Sequence, residues 1–187
     1  MNELTEFQQT AELSQQRAAL QAKEVGGDIV AAALQRGKFV LRSGESSSFY
    51  FDKYLFETKP TILRRLAQMF AERVPEGVDR LAATDGGAVA LATAASLATG
   101  LPFVIIMRDD SAAPVRGELY RGETVALIQD VVDSGGQAVD AARQIGHLGA
   151  QVAGIISVVD RQAGGAASIA ESGFHYEALF TLSDLNI

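Results

Sequence analysis

The sequence predicts an α/β fold in which helices cover both faces of a mainly parallel sheet. From residue 80 onward, short apolar segments alternate with small-residue turns and helical segments. This alternation is typical of parallel strands joined by crossover helices. Two of the apolar segments, residues 125–132 and 152–159, are rich in Val and Ile, as strands buried on both faces usually are.

The first part of the chain is predicted to be helical and then to form a hairpin. Residues 2–25 carry Leu and Phe at roughly helical intervals, which predicts a helix that either packs on the core or forms an arm. The glycine pair at residues 26–27 is expected to break this helix, and a second helix follows over residues 29–35. Residues 38–44 are predicted to be a strand that runs into a turn, and residues 49–52 to be the returning strand of a hairpin around a polar loop.

The remaining elements alternate regularly. A helix with one buried face is predicted to begin at Pro60. The predicted strands that follow are residues 80–83, 102–107, 125–132, 152–159 and 176–181, and the predicted helices are residues 88–99, 138–148 and 166–172.

Composition limits what the protein can be. The chain has 187 residues without a compositional break, so we expect one domain over residues 1–187, with residues 1–25 as a helical extension. The sequence contains no Cys, which excludes disulfides and thiol chemistry. A net charge of −7 argues against nucleic-acid binding, and the lack of a long apolar run predicts no membrane contact and a cytoplasmic location. No zinc-ligand spacing occurs, so we expect no metal held by protein side chains alone.

The stretch from residue 125 to residue 145 predicts a phosphate site. An apolar strand runs through residues 133–137, Asp-Ser-Gly-Gly-Gln, into a helix, and such a turn leaves backbone N–H groups free at the helix N-terminus. Asp130 lies at the C-terminal end of the strand, where open α/β sheets bind ligands. A carboxylate can accept hydrogen bonds from sugar hydroxyls, so the predicted ligand is a sugar phosphate. The alternative is a simple strand–turn–helix joint in which Asp133 or Ser134 caps the helix.

This stretch resembles the ribose-phosphate motif of the type I phosphoribosyltransferases, and further motifs resemble orotate phosphoribosyltransferase in particular. These motifs are a Leu-Arg-Ser-Gly turn, an aromatic segment, a Gly-Gly turn and a segment around Arg161. They occupy residues 41–44, 49–52, 86–87 and 158–165, in the order found in that family. The resemblance extends over about residues 28–187 and implies the type I phosphoribosyltransferase fold, with a small N-terminal hairpin as a hood over the sheet.

The resemblance also implies a reaction. The family transfers ribose 5-phosphate from phosphoribosyl pyrophosphate to a nitrogen base and releases pyrophosphate, as a step of pyrimidine nucleotide synthesis. It uses Mg²⁺ and acts as a homodimer. The substrates implied for this chain are therefore phosphoribosyl pyrophosphate and a base, with orotate as the first candidate.

The roles implied by the resemblance fall into three groups. The implied catalytic residues are Asp130, which would hold the ribose hydroxyls, Asp133 and Arg108. The implied phosphate ligands are Ser134, Gly135, Gly136 and Gln137 for the 5′-phosphate, and Thr84, Asp85, Gly86 and Gly87 for the pyrophosphate. The implied base ligands are Arg42, Tyr50, Phe51 and Arg161, with the Arg161 guanidinium pairing with a carboxylate. From the residues alone, Arg161 could instead form a surface ion pair, and Tyr50 and Phe51 could be core residues.

Three positions differ from the family's pattern. Residues 108–119 begin Arg-Asp and contain no Lys or His, where the family has a basic mobile loop that stabilises the leaving pyrophosphate. Gln129 replaces a second acid, and Asp133 stands where orotate enzymes usually carry Thr. Removing one preorganised stabiliser typically costs on the order of a hundredfold in rate. Two alternatives therefore stay open: a catalytically weak relative that binds phosphoribosyl pyrophosphate or a nucleotide as a sensor or partner subunit, or a transferase for a base other than orotate.

Overall fold

The computed structural model describes residues 3–40, 44, 46–107 and 114–187. The predicted site residues Arg42 and Arg108 lie outside these ranges. The helices are α1 (Glu3–Ala33), α2 (Tyr54–Glu57), α3 (Pro60–Ala71), α4 (Ala88–Thr99), α5 (Gly136–His147) and α6 (Gly165–Glu171). The strands are β1 (Leu34–Val40), β2 (Ser46–Phe51), β3 (Arg80–Thr84), β4 (Phe103–Ile106), β5 (Val115–Arg116), β6 (Thr124–Val132), β7 (Gln151–Asp160) and β8 (Tyr176–Thr181).

The central sheet has the strand order β5-β4-β3-β6-β7-β8. The strands from β4 to β8 in this order pair in parallel, and the short β5 pairs antiparallel with β4. The prediction of a mainly parallel sheet flanked by helices is confirmed. The two-residue strand β5 was not predicted, because two residues are too few to show a periodicity.

The predicted hairpin is also confirmed. Strands β1 and β2 pair antiparallel in a separate two-stranded sheet, in which Leu34 is opposite Phe51 and Val40 is opposite Ser46. The amide of Asp52 donates a hydrogen bond to the carbonyl of Ala33, at the end of α1. The hairpin therefore follows directly from the first helix.

The first helix is longer than predicted. Helix α1 runs unbroken through Gly26 and Gly27, so the predicted break is wrong. Of the predicted second helix, residues 29–33 form the last turns of α1, and residues 34 and 35 begin β1. Burial explains this, since Val25, Ile29 and Ala33 lie on one face of the helix and are fully buried. A Cβ atom at Gly26 would lie 3.1 Å from Leu185 Cδ2, so this glycine allows close packing. That packing outweighs the cost of about 1 kcal/mol for a glycine in a helix.

Two apolar layers lie on opposite sides of the sheet. Along β6, Val125 and Leu127 belong to the layer that contains α5, whereas Ala126 and Ile128 belong to the layer that contains α1, α3 and α4. Side chains alternate along a strand, so this pattern extends to the next two residues, 129 and 130. Gln129 therefore points toward the α5 side and Asp130 toward the opposite side. Among the described residues, no helix has both the length and the apolar character needed to cross a membrane.

A buried ion pair joins β3 and β6 at the N-terminal edge of the sheet. The Arg80 guanidinium donates two hydrogen bonds to Glu123, Nε to Oε2 at 2.9 Å and Nη2 to Oε1 at 2.8 Å. Arg80 is buried, and its hydrogen bonds hold the pKa of the Glu123 carboxyl below its usual value. This edge is opposite the C-terminal ends of the strands, so the pair is a stabilising contact away from the predicted site.

We expect Glu123→Gln to lower the free energy of unfolding by about 3 kcal/mol, because the buried Arg80 charge loses its partner. Since the folded-state pKa of Glu123 is lowered, the contribution is present at neutral pH and is lost as the pH falls through that pKa. Urea unfolding at pH 7 and at pH 4 measures both effects. The exposed Glu171→Gln is the matched control, and equal stabilities for the two variants at pH 7 would contradict the assignment.

Candidate functional site

The turn between β6 and α5 has the geometry of an anion site. Gly135 has φ of 81° and stands immediately before α5, which begins at Gly136. In the described part of the chain, the five consecutive amides of residues 134–138 donate no hydrogen bond to a protein acceptor. A cavity of about 240 Å³ lies over them, lined by residues 129 and 131–138. These amides and the N-terminus of a helix of 12 residues can together bind a phosphate.

The turn rests directly on the start of α6. A Cβ atom at Gly135 would lie 2.8 Å from the Gly165 carbonyl oxygen, and one at Gly165 would lie 2.6 Å from Val132 Cγ1. Two backbones can approach this closely only where both residues lack a side chain. Gly165, in the predicted segment 158–165, thus packs directly against the turn between β6 and α5.

Gly135→Ala should therefore disrupt the turn, because alanine there is strained by the positive φ and clashes with Gly165. We expect a loss of about 2–4 kcal/mol in unfolding free energy, within the range for strain combined with overpacking. Urea unfolding measures this loss, and titration with ribose 5-phosphate measures the turn's affinity.

Two alanine controls separate the causes. Gly100 has a similar φ of 76° with open space around it, so Gly100→Ala reports strain alone. At Gly136 the nearest atom to an added Cβ is 3.9 Å away, so Gly136→Ala reports the extra methyl group without strain. A Gly135 variant no less stable than the Gly100 variant would contradict the close contact.

Asp130 is buried at the end of β6 and is already held by two donors. Its Oδ1 accepts a hydrogen bond from the Val131 amide at 2.6 Å, and its Oδ2 accepts one from Lys53 Nζ at 2.5 Å. Lys53 follows the aromatic hairpin in sequence and was not among the predicted site residues. The sequence feature that could have indicated Lys53 is its position directly after the aromatic segment. Its contact with Asp130, 77 residues away in the sequence, is created only by the fold.

A second carboxyl group lies beside Asp130. Glu57 is 1% exposed, and neither of its carboxyl oxygens has a hydrogen-bond partner among the described residues. Burial, followed by the neighbouring Asp130 carboxylate, raises the pKa of Glu57 to about 8. Glu57 is therefore mostly a neutral acid at pH 7. It was not predicted, because nothing in the sequence around α2 shows that this side chain is buried.

The predicted pyrophosphate turn, Thr84 to Gly87, lies at the end of the neighbouring strand β3. Gly86 has φ of 107°, and Gly87 precedes the first residue of α4. Thr84 is buried, with its Oγ1 atom 3.5 Å from Gln129 Oε1. A cavity of about 210 Å³ is lined by Thr84 and, from α5, by residues 137, 140, 141 and 144. Gln137 lines both this cavity and the one over the 134–138 amides, so the two predicted phosphate turns are neighbours.

Three of the four predicted base-binding residues meet in a third cavity, of about 340 Å³. Tyr50, Phe51 and Arg161 line it together with Lys53 and with residues 52, 54, 131 and 133. Val131 and Asp133 line both this cavity and the one over the phosphate turn. The third cavity therefore adjoins the phosphate turn.

Within this cavity, the two aromatic residues differ. Tyr50 is 44% exposed and its ring centroid is 5.7 Å from that of Phe39, within the hairpin. Phe51 is half-buried and packs against the core residue Phe56, with ring centroids 5.9 Å apart. The Arg161 Nη1 atom lies 3.6 Å from Asp133 Oδ2. From the sequence alone, Phe51 could have been a core residue and Arg161 could have formed an ion pair. The structure shows both of these contacts, and both side chains also line the cavity.

Comparison with known proteins identifies the family. No protein-family model matches the chain. It is 40% identical over 159 residues to orotate phosphoribosyltransferase of Halobacterium salinarum, covering 83% of this chain and 90% of that protein. It is 38% identical over 159 residues to the Natronomonas pharaonis enzyme of the same name, covering 83% and 91%. The chain belongs to the orotate phosphoribosyltransferase family.

The fold agrees with this membership. The crystal structure of Mycobacterium tuberculosis orotate phosphoribosyltransferase in complex with phosphoribosyl pyrophosphate superimposes with a TM-score of 0.79. The superposition covers 89% of this chain and 99% of that chain, at 22% identity. The resemblance predicted from the sequence motifs is thus confirmed for both the family and the fold.

Proposed function

We propose that this member of the orotate phosphoribosyltransferase family transfers ribose 5-phosphate from phosphoribosyl pyrophosphate to orotate and releases pyrophosphate. The observation that carries the proposal is the shared edge of two cavities. One contains five amides with no protein acceptor, and the other contains two aromatic side chains and Arg161. A nucleotide has the same two ends, a phosphate monoester and a flat base.

We propose that the substrate is divided among the turns as the sequence motifs imply. Residues 134–137, with Asp133, would surround the 5′-phosphate, and residues 84–87 would bind the pyrophosphate. Asp130 would accept hydrogen bonds from the ribose hydroxyls, through lone pairs that Lys53 and Val131 leave open. The Arg108 side chain would contact the pyrophosphate, and the Arg42 side chain would contact either the pyrophosphate or the base.

We propose that the cavity lined by Tyr50, Phe51 and Arg161 recognises a ring that carries a carboxylate. Aromatic faces suit a flat ring, and a guanidinium binds a carboxylate through two parallel hydrogen bonds. Tyr50 and Phe51 would flank the base, and Arg161 would pair with its carboxylate.

Mg²⁺ is the proposed cofactor, and the carboxylates present fit an ion held mainly by the substrate. Among the described residues, no three acidic or histidine side chains cluster as a metal site would require. Mg²⁺ is commonly held by one or two carboxylates together with substrate phosphates and water. Asp130 and Asp133, at the end of β6, are the carboxylates that could supply such contacts. When bound, the ion would neutralise charge on the pyrophosphate.

The chemistry that we propose needs no covalent nucleophile on the protein. Breaking the bond between ribose and pyrophosphate leaves positive charge on the sugar and negative charge on the leaving group. The protein has to hold the base nitrogen in line with this bond and stabilise both charges. The free amides of residues 134–138 would position the ribose through its 5′-phosphate, the turn at residues 84–87 would hold the leaving pyrophosphate, and the Asp130 carboxylate would lie beside the positive charge on the sugar.

A panel of bases tests the proposal. Purified protein is given phosphoribosyl pyrophosphate, Mg²⁺ and one of orotate, uracil, hypoxanthine or guanine, and pyrophosphate release is measured. We expect turnover with orotate. Thermal stabilisation by phosphoribosyl pyrophosphate without turnover on any base would overturn the proposed activity and indicate a binding protein.

A second candidate is transfer to a base without a carboxylate. The observation that favours it is the Arg161–Asp133 contact at 3.6 Å, because Asp133 partly neutralises the guanidinium and would repel a carboxylated base. Turnover with a purine but not with orotate would support this candidate.

We further propose that the enzyme is a homodimer and acts in the cytoplasm. The hairpin β1–β2 and residues 108–119 are the segments that we place at the subunit interface. Light scattering after gel filtration measures the oligomeric state, and a mass of one chain, 19.8 kDa, would contradict the dimer.

A further inference from the structure

The Lys53 ammonium lies where the base cavity meets the predicted ribose site. Its Nζ atom donates a hydrogen bond to Asp130 Oδ2 at 2.5 Å. Lys53 also lines the cavity of about 340 Å³ to which Tyr50, Phe51 and Arg161 contribute. The proposed reaction assigns this cation no contact with the substrate, although it lies between two of the regions that would bind the substrate.

Asp130 is the fixed partner of this ion pair. Its Oδ1 atom accepts a hydrogen bond from the Val131 amide at 2.6 Å. A Cβ atom built on Gly87 would lie 2.7 Å from Asp130 Oδ2 and would clash with the Glu57 carboxyl oxygens, so the two acids fill the space left by that glycine. The Asp130 side chain is 10% exposed, whereas that of Lys53 is 34% exposed. Lys53 is therefore the partner that can contact a ligand without disturbing the packing.

The Lys53 ammonium has donors that the protein does not use. An ammonium carries three N–H groups, and within the described part of the chain Asp130 is the acceptor that takes one of them. The Tyr54 ring attracts the ammonium through its π face, with the ring centroid 5.5 Å from Nζ, and this restrains the side chain beside the cavity. An oxygen atom of a base bound in the cavity is therefore a suitable acceptor for the remaining N–H groups.

The chemistry of the bases indicates which oxygen atom this is. With the ribose held at Asp130, the part of the base closest to the ribose is the nitrogen that joins the two. In a pyrimidine, one ring carbon beside this nitrogen carries a carbonyl oxygen, and in orotate the other carries the carboxylate. In a purine, neither ring carbon beside this nitrogen carries an oxygen.

We propose that Lys53 is a specificity-determining residue, whose ammonium donates a hydrogen bond to the carbonyl oxygen beside the nitrogen that joins the ribose. Orotate would then be held by Lys53 on one side of that nitrogen and by Arg161 on the other. A purine offers Lys53 no acceptor at this position, and a site built to donate a hydrogen bond discriminates against a ligand that cannot accept it. This role rests on the proposed function, which places the ribose at Asp130 and the base in the adjoining cavity.

Binding of nucleotides tests the role of Lys53 without turnover. Ribose 5-phosphate, uridine 5′-monophosphate, cytidine 5′-monophosphate and inosine 5′-monophosphate are titrated calorimetrically into wild-type protein, Lys53→Met and the exposed control Lys59→Met. Lys53→Met should bind both pyrimidine nucleotides about tenfold more weakly than wild type. This is at the low end for a hydrogen bond from a charged donor, because Lys53 is partly exposed. Its affinity for the other two ligands should change by less than about threefold, and the control should match wild type for all four.

Three results with Lys53→Met would overturn the proposal. An equal loss for ribose 5-phosphate would show that Lys53 acts only through Asp130. An equal loss for inosine 5′-monophosphate would show that Lys53 does not recognise a carbonyl beside the joining nitrogen. A loss for uridine but not cytidine 5′-monophosphate would place the contact at the opposite carbonyl, the group in which these two bases differ.

Wild-type protein alone also tests the proposal, whether or not Lys53→Met folds. Uridine 5′-monophosphate should bind more tightly than both ribose 5-phosphate and inosine 5′-monophosphate, and the absence of this preference would overturn the role of Lys53. The titrations use no pyrophosphate donor, so they are separate from the base panel. If the nucleotide profiles are found but no base is turned over, the proposed activity fails and the role of Lys53 stands. If orotate is turned over but Lys53→Met binds all four ligands like wild type, the role of Lys53 fails and the activity stands.

Discussion

Asp130→Asn will lower kcat/KM for phosphoribosyl pyrophosphate by about a hundredfold. Asparagine keeps the shape of the side chain but removes the charge that strengthens each hydrogen bond from a ribose hydroxyl, and hydrogen bonds to charged groups contribute about 1.5–3 kcal/mol. The change also leaves Lys53 without the carboxylate that its Nζ atom now contacts at 2.5 Å. Initial rates of pyrophosphate release at varied phosphoribosyl pyrophosphate concentration measure the effect.

Two variants distinguish a role in binding from a role in stability. Lys53→Met breaks the same ion pair from the other side, so its unfolding free energy should fall by an amount similar to that of Asp130→Asn. The loss should be modest, because the Lys53 side chain is 34% exposed. Asp79→Asn, at the opposite edge of the sheet, controls for the chemical change itself. An Asp130→Asn protein with unchanged affinity would rule out the ribose contact.

Arg161→Ala will reduce kcat/KM for orotate by about thirtyfold, while the value for uracil will change by less than about threefold. A thirtyfold loss corresponds to about 2 kcal/mol, which is within the range for a charge-assisted hydrogen-bonded pair. We place it in the lower part of that range because the Arg161 side chain is 38% exposed. Uracil lacks the carboxylate and makes no ion pair with Arg161, so its kcat/KM should depend little on this side chain. Steady-state kinetics with both bases measure the ratio.

Arg161→Lys tests the geometry of the contact. Lysine keeps the positive charge but cannot form two parallel hydrogen bonds to one carboxylate, so it should recover only part of the loss. Asp133→Asn should have the opposite effect, because it frees Arg161 from its partner at 3.6 Å and should improve orotate binding. Equal losses for orotate and uracil in Arg161→Ala would show that Arg161 does not recognise the carboxylate.

The sheet could be predicted from the sequence because its strands are locally distinct. Strand β6 is a continuous apolar run, and helix α4 was predicted with the bounds that it has, residues 88–99. The break predicted in α1 was wrong because Gly26 owes its place to contacts with Leu185 and Phe180, at the other end of the chain. A local pattern cannot report such a contact.

In the candidate site too, residues in a local sequence pattern could be predicted, and residues that depend on distant contacts could not. The amides of residues 134–138 follow from a strand–turn–helix pattern that is visible in the sequence, and the motifs of the family indicated Tyr50, Phe51 and Arg161. Lys53 and Glu57 could not be predicted, because their importance depends on which side of β6 Asp130 faces and on the space left by Gly87. These are properties of the packed molecule.

The contact between Gly135 and Gly165 also constrains how the protein can evolve. The turn that we propose binds the phosphate packs against the segment that follows Arg161, the proposed base ligand, so main-chain contact rather than adjustable side chains sets the spacing between these two loops. Neither glycine can be exchanged alone without moving both loops. A change of preferred substrate in this lineage would therefore come from side chains that line the base cavity, such as Asp133 and Tyr50. The spacing between the two loops would stay the same.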